Sequence, residues 1–532
     1  MHEYPKSNMY NFTHPFLQKI QGFKLDLACL VIASQSYTYR NLLDLVQSSL
    51  DLLVNIKNGV VVGIIGDYDL STIAFFLACI EKRCIVVPLP CSLMPQATNY
   101  QSSSLQTYIT EGQIDYLFHG DTLHPTHNAD KKHNMIMSLQ ANHVSGLILF
   151  SSGSTGKPKA IIHNLNTLLQ VFLEKKPKHI NILLFLMFDH IGGLNTLFNT
   201  LSLGACGITL KNRKDMQEIA KNIQDYKITL LPASPSLLHL FLLSNPTQFY
   251  DLNSLRLITY GTEKMPDSLL IKLKNAFPKV RFHQTFGASE IGITQTTTKG
   301  NFIRLNNMKY KIIDNELFVK SGTNALGYLN SDNSVFDNDG YFATGDLVEA
   351  KLINGEEYIK IIGRAKEVIN VGGEKVIPQE IEGVLLEIPF ISDCVVYGES
   401  NAITGQSVSV KAVLDFERIK SAIAKLKEQN RLDFISTTQK NPMEVFLNDF
   451  LGSQDKETLV SMNEQSDNVK STKNTKAGQK YNLFGQKTTQ NLALKKYIRT
   501  LCKNKLAPFK IPSKVNIVES LEMNERFKRV IV

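Results

Sequence analysis

Nine consecutive residues, Ser151–Ser152–Gly153–Ser154–Thr155–Gly156–Lys157–Pro158–Lys159, put four hydroxyls, two glycines and two ammonium groups into one loop. Glycine lets the backbone approach a ligand closely, the hydroxyls donate hydrogen bonds, and each lysine is a compact positive charge. Open backbone N–H groups, hydroxyls and ammonium groups together suit a polyphosphate. The apolar run Val144 to Phe150 reads as a buried strand leading in, and Ala160–Ile161–Ile162 as a second strand leading out.

The nucleotide loop of P-loop NTPases has a similar composition but a different order. It needs a glycine five residues before the Gly of its Gly-Lys pair, then Ser or Thr to hold magnesium. Here Ser151 occupies the glycine position, Pro158 follows Lys157, and a strand rather than a helix comes next. That class is excluded.

The elements around the loop alternate. Gly59 to Ile65, Cys84 to Pro90, Ile228 to Pro232, Leu255 to Tyr260 and Val280 to Thr285 read as strands, and Leu70 to Glu81 as a helix. Strands separated by helices call for crossover connections, so mostly parallel sheets are expected from Tyr37 to about Ile362. At 532 residues the chain exceeds what one core supports, and at least two domains are expected. The expected division is a large α/β domain over 1–363 with packed sheets and helices, and a smaller, mobile α+β domain over 364–532. Lys514 to Val518 is the last strand candidate. A helix is expected over Ile419 to Gln429, inside a departure at about 417–490 whose Ser, Thr, Asn, Gln and Lys content from Ser453 to Gln490 predicts flexibility.

Further motifs follow the loop in order. Phe286–Gly287–Ala288–Ser289–Glu290, Tyr341–Phe342–Ala343–Thr344–Gly345–Asp346, Gly363–Arg364–Ala365–Lys366–Glu367, Gly372–Gly373–Glu374–Lys375 and the terminal Leu521 to Arg529 complete the set. With the loop, this series resembles the adenylate-forming superfamily of acyl-CoA synthetases, luciferases and nonribosomal peptide adenylation domains, over roughly residues 36 to 529. Acyl-CoA synthetases are the nearest likeness.

The resemblance implies an acid–thiol ligase. ATP and a carboxylic acid give acyl-AMP and pyrophosphate, and a pantetheine thiol, CoA by default, then takes the acyl group. Acyl- or aminoacyl-carrier protein loading, or a nucleotide-binding homologue without turnover, are the alternatives. By the same resemblance the 151–159 loop, through Ser154, Thr155 and Lys159 above all, holds the β- and γ-phosphates. Glu290 is the magnesium ligand, Ser289 stands near the α-phosphate with Phe286 and Gly287 beside it, and Tyr260–Gly261–Thr262–Glu263 line the adenine pocket. Asp346 takes the ribose hydroxyls, Arg364 assists, and Lys366 is the hinge. Gly372, Gly373 and Glu374 border the pantetheine tunnel, and Lys528 is the catalytic lysine, although Phe527 replaces the family's glycine. In Phe188–Asp189–His190–Ile191–Gly192–Gly193, His190 matches the histidine that gates the carboxylate site in acyl-CoA synthetases. Asp189 is open to a different role, gripping an α-ammonium group, but Ile191 replaces the Ser of amino-acid-activating members.

Composition sets the rest. A net charge of +9 fits a lysine-rich chain, and no compact basic patch with interleaved aromatics points to nucleic acid, while an acidic carrier protein is compatible. No apolar run reaches the ~20 residues of a membrane helix. Met1 to Tyr10 is polar, and seven cysteines without a Cys-x-x-Cys pair fit neither a disulfide framework nor a zinc site. A cytoplasmic location is expected.

Overall fold

The computed structural model describes residues 10–93, 103–126, 131–151, 157–261, 263–428 and 488–522. It divides into two compact units. The first comprises residues up to Met265 with Leu270–Ile361, and the second comprises Pro266–Leu269 with Ile362–Val532.

Two seven-stranded sheets organise the first unit. In one, the strands Arg281–Gln284, Leu257–Tyr260, Leu230–Ala233, Asn181–Leu183, Cys206–Ile208 and Ala28–Ile32 run parallel, and Gln35–Thr38 closes the edge antiparallel. In the other, Gly146–Ser151, Ile85–Leu89, Val61–Ile65 and Tyr116–His119 run parallel. Lys159–Asn164 and then Gly327–Tyr328 extend that sheet antiparallel on one side, and Thr122–Pro125 does so on the other.

The helix Leu70–Glu81 explains how these sheets share a core. Its residues 72–80 are all buried, so it has no polar face and must be covered on every side. Asp69 caps its start, its carboxylate accepting from the Thr72 N–H at 2.7 Å. Phe75 stacks on Phe118, and Phe76 meets Phe188 and Phe198 edge-on or tilted. Residues from both sheets, among them Leu30, Val62 and Leu147, join this one cluster.

One expectation needs correcting. Alternation does not continue to Ile362, because no helix lies between Ala276 and Ala365 among the described residues. That stretch forms the Phe286–Ala288/Gly292–Thr294 hairpin and a six-stranded sheet whose Thr296–Lys299, Phe302–Leu305, Lys309–Ile313 and Glu316–Lys320 strands pair antiparallel. Gly300 and the Asp314–Asn315 pair turn the chain at positive φ, so short hairpins replace crossovers.

The second unit packs its helices on a five-stranded sheet. The long antiparallel pair Ile391–Asn401 and Gly405–Leu414 dominates it, with Lys514–Val518 joining parallel to the latter. Phe416–Glu428 and Thr488–Lys503 are helices, so the first part of the polar departure is ordered, whereas the stretch expected to be flexible lies almost wholly outside the described residues.

Candidate active site

The loop of nine residues joins two antiparallel strands whose register pairs Ser151 with Lys159. Ser152, Gly153, Ser154, Thr155 and Gly156 lie outside the described residues, as do Thr262 and Lys528. The exit of the loop is fixed by Asn330. Its side-chain oxygen accepts from the Ala160 N–H at 2.9 Å, and its amide donates to the Pro158 carbonyl at 2.9 Å and to Glu111 Oε2 at 2.9 Å. Lys157 is exposed, while Lys159 is half-buried with its ammonium 5.2 Å from the centre of the Tyr328 ring.

Tyr328 faces a second group. Its hydroxyl donates to Glu290 Oε1 at 2.8 Å. Burial, with the Glu290 carboxylate beside it, pushes the phenol far above its ordinary range, so the hydroxyl is a donor at any working pH. Tyr328 arrives there because Gly327–Tyr328 pairs with Ile161–Ile162 of the strand leaving the loop. Gly327 sits at φ +146°, and a Cβ on it would come within 2.6 Å of both Asn333 Oδ1 and Met135 Cε, so only glycine fits.

Glu290 stands at the tip of the hairpin that follows the parallel strand Arg281–Gln284. Ala288 pairs with Gly292, whose φ of +73° closes the three-residue connection Ser289–Glu290–Ile291. Besides the Tyr328 bond, three more hold this tip. The Ala325 N–H donates to the Glu290 carbonyl at 2.6 Å, the Thr323 hydroxyl to the Ile291 carbonyl at 2.8 Å, and His163 Nε2 to the Ser289 carbonyl at 2.6 Å. His163 is fully buried on the strand leaving the loop, and burial lowers it to about 4, so it stays neutral. Phe286, at the start of the hairpin, is buried, and Gly287 is exposed.

Further candidates follow the parallel strands of the first sheet. Ala233, Tyr260 and Gln284 are adjacent at their carboxyl ends, the edge where ligands bind open α/β sheets. After Tyr260, a Cβ on Gly261 would stand 2.7 Å from Thr285 Oγ1, so glycine is required for the close approach of these turns. Glu263 Oε2 accepts from the Ser236 hydroxyl at 2.6 Å and its N–H at 3.2 Å, at the start of the helix Pro235–Leu243. Tyr260 itself turns into the core and reaches Asn301 Oδ1 at 3.3 Å.

Asp189 and His190 follow the strand Asn181–Leu183, with His190 at the N-cap of the helix Ile191–Ser202. His190 Nδ1 lies 2.9 Å from the Asp189 carbonyl and 3.7 Å from its carboxylate, which makes Nδ1 the protonated nitrogen. The preceding residue, Phe188, packs edge-on against Tyr68 and Phe76. Beside Tyr68, Arg213 donates to both carboxylate oxygens of Asp67, at 2.6 and 2.8 Å, and through Nε to the Phe185 carbonyl at 2.7 Å.

Asp346 is buried on the strand Phe342–Ile353, where three residues, Thr344 to Asp346, oppose Leu317 alone and Gly345 takes φ +69°. In the second unit, Arg364 ends the strand Glu356–Arg364 and Lys366 lies in the tight turn Ala365–Glu367. Gly372 and Gly373, both at positive φ, turn between Ile369–Val371 and Glu374–Val376, and the Gly372 N–H donates to the Thr404 carbonyl at 2.9 Å.

The residues brought into direct register are therefore Lys159, Ser289 and Glu290, through His163 and Tyr328. Sequence reasoning missed Tyr328, Asn330, His163 and the Asp67–Arg213 pair. The apolar run Ala325–Leu326–Gly327–Tyr328–Leu329 is a signal that could have marked a strand there.

The donor set fits a hard divalent cation. Among the described residues no three His, Cys, Asp or Glu side chains converge, and one carboxylate completed by substrate phosphates is how magnesium is commonly bound. No helix among the described residues is long and apolar enough to cross a membrane.

Known proteins resemble the chain in sequence and in fold. Acyl-CoA synthetase 7 of Caenorhabditis elegans is 30% identical over 335 residues, covering 54% of this chain and 61% of that protein. 4-Coumarate–CoA ligase-like 9 of Arabidopsis thaliana is 26% identical over 339 residues, covering 56% and 59%. The chain thus aligns with about three fifths of the length of these relatives. The anthranilate CoA ligase AuaEII in complex with anthranoyl-AMP shares the fold, with a TM-score of 0.67 at 16% identity over 98% of this chain and 96% of that one. The AMP-binding enzyme family matches residues 16–317, more than half of the chain. With its motifs in order and this fold around them, the chain belongs to the AMP-binding enzyme family, the adenylate-forming superfamily.

Proposed function

We propose that the protein is an AMP-forming acid–thiol ligase. It joins a carboxylic acid to the α-phosphate of ATP with loss of pyrophosphate, then passes the acyl group to the thiol of CoA. The observation that carries this reading is the placement of a phosphate-loop cation, Lys159, and a metal-ready carboxylate, Glu290, against the same tyrosine.

The chemistry explains why both are needed. A carboxylate oxygen must attack a phosphorus that already bears negative charge, so fixed cations and donors have to offset the repulsion before the anions meet. Lys159 and the hydroxyls of Ser154 and Thr155 hold the β- and γ-phosphates in this reading, and the Ser289 hydroxyl lies near the α-phosphate. Magnesium, when bound through Glu290, neutralises phosphate charge. Gly261, Thr262 and Glu263 line the adenine side, Asp346 accepts from the ribose, and Arg364 assists. His190, at the start of the helix Ile191–Ser202, stands on the acid side in this reading. Lys528 supplies a cation to the first half-reaction. Gly372, Gly373 and Glu374 border the thiol in the second, with Lys366 as the pivot between them.

The test is pyrophosphate release from MgATP across fatty, aromatic and amino acids, with and without CoA. Release with one acid, and an acyl-CoA only when CoA is added, is the expected result. Release without a CoA product makes a carrier protein the acceptor, whereas ATP binding without release for any acid overturns the ligase reading. Lys528→Ala is expected to abolish ATP–pyrophosphate exchange, and a variant that keeps it removes Lys528 from the reaction.

A further inference from the structure

Lys159 and Glu290 belong to segments 131 residues apart in sequence, yet one side chain touches both. Tyr328 meets the Lys159 ammonium with its ring face and Glu290 with its hydroxyl. The ring face of an aromatic attracts a cation, so Lys159 is held without being neutralised. The hydroxyl uses one Glu290 oxygen as acceptor, which fixes the carboxylate's rotation and leaves its second oxygen to point elsewhere.

The backbone supports the same arrangement. Tyr328 is paired to the strand leaving the loop, and the Leu326 N–H donates to the Ile162 carbonyl at 2.8 Å and the Leu329 N–H to the Ala160 carbonyl at 2.9 Å. Asn330, two residues on, grips Pro158 and Ala160 at the loop's exit. Ala325, three residues before Tyr328, holds the backbone of Glu290. One short segment, 325–330, thus touches the loop exit, the loop cation and the acidic hairpin tip. Tyr328 is buried, and Lys159 and Glu290 are half-buried.

We infer that Tyr328 is a positioning residue that sets the Glu290 carboxylate for a divalent cation and the Lys159 ammonium for phosphate, coupling the two halves of the nucleotide site. This rests on the ligase reading for its substrate but not for its geometry. Removing only the hydroxyl frees the carboxylate to rotate and leaves the ring beneath Lys159. Removing the ring as well releases the lysine.

Two variants separate these effects. Manganese, read by electron paramagnetic resonance, stands in for magnesium on the protein saturated with a non-hydrolysable ATP analogue. Tyr328→Phe is expected to weaken manganese binding about 3- to 10-fold, the scale of one net hydrogen bond, with analogue affinity within twofold of wild type. Tyr328→Leu is expected to lose analogue affinity too, by about 3- to 5-fold, the scale of a partly desolvated cation–π contact. In turnover, Tyr328→Phe raises the magnesium needed for half-maximal exchange while KM for the acid is unchanged. Unaltered manganese affinity in Tyr328→Phe overturns the inference, and so does an equal rise in the KM values for acid and ATP. Because the analogue assay needs no turnover, a protein that binds ATP without releasing pyrophosphate sinks the ligase reading alone. Should Tyr328→Leu fail to fold, the phenylalanine variant still decides.

Discussion

The phosphate side and the acid side of the candidate site are built by different means. On the phosphate side, the important atoms are held through backbone: the carbonyls of Pro158, Ser289, Glu290 and Ile291 and the N–H of Ala160 each have a named partner. On the acid side, Phe188, next to Asp189, packs edge-on against the rings of Tyr68 and Phe76, and the charges of Arg213 and Asp67 are paired with each other. Backbone atoms fixed in this way suit the part of the substrate that does not vary, which in the proposed reaction is the phosphates. A pocket of side chains changes shape with each residue, which is where substrate choice is made.

If that contrast is right, damage to the phosphate side should strike every substrate alike. Glu290→Gln keeps the shape and the acceptor for Tyr328 but removes the charge. The expected loss in ATP–pyrophosphate exchange is about 10²- to 10³-fold, the scale for deleting one preorganised electrostatic partner. The loss should be the same for every acid that is a substrate. An acid-dependent loss would blur the division.

The next test is pH. His163 is lowered to about 4 in the folded protein by burial, against about 6.5 when exposed. The unfolded chain therefore takes up the proton first as pH falls, and the stabilisation present above pH 6.5 is lost progressively towards pH 4. Between pH 7 and pH 5 the cost is about 2 kcal/mol. Unfolding free energies of wild type and His163→Gln from denaturant titrations, compared at both pH values, should converge by that amount on acidification. An unchanged difference would mean that the phosphate side is not anchored through a neutral imidazole.

The smallest effect is expected on the acid side. Lysine cannot reproduce the bidentate contact of Arg213 with Asp67 together with the bond to Phe185. Arg213→Lys keeps the charge and should cost about 1 kcal/mol, the scale of one net hydrogen bond. It should raise KM for the acid several-fold with KM for ATP unchanged, because Phe185 leads into Asp189 and His190. A shift in the ATP value instead would place Arg213 with the other half.

The same contrast governs what could be read in advance. The phosphate loop is legible because it is contiguous, and flanking apolar runs announce its two strands. The helix Leu70–Glu81 and the strand Lys514–Val518 also emerge with the observed bounds, since polar residues stand at their ends. Strand starts at Ile228 and Leu255 come two residues early. Both side chains are buried, but their N–H groups turn back to Ile223 and Leu252, so apolar character there marks a turn packed on the core rather than a strand. Tyr328 and Asn330 were not legible because their partners are chosen by strand pairing across more than 160 residues. The Arg213–Asp67 pair spans 146 residues and leaves no local trace. Nor does hydrophobic alternation distinguish a crossover from a hairpin, and the antiparallel sheet after Phe286 was missed for that reason.

The helix Leu70–Glu81 carries a cost during synthesis. Phe76 is covered by Phe188 and Phe198, which are made more than a hundred residues later. At ribosomal speeds of about 5–20 residues per second, an apolar cylinder with no wettable side waits on the order of 6–24 s for its cover. Through that interval the growing chain offers a sticky surface to its neighbours, so the yield of soluble protein should depend on translation speed and on chaperones that hold the first hundred residues.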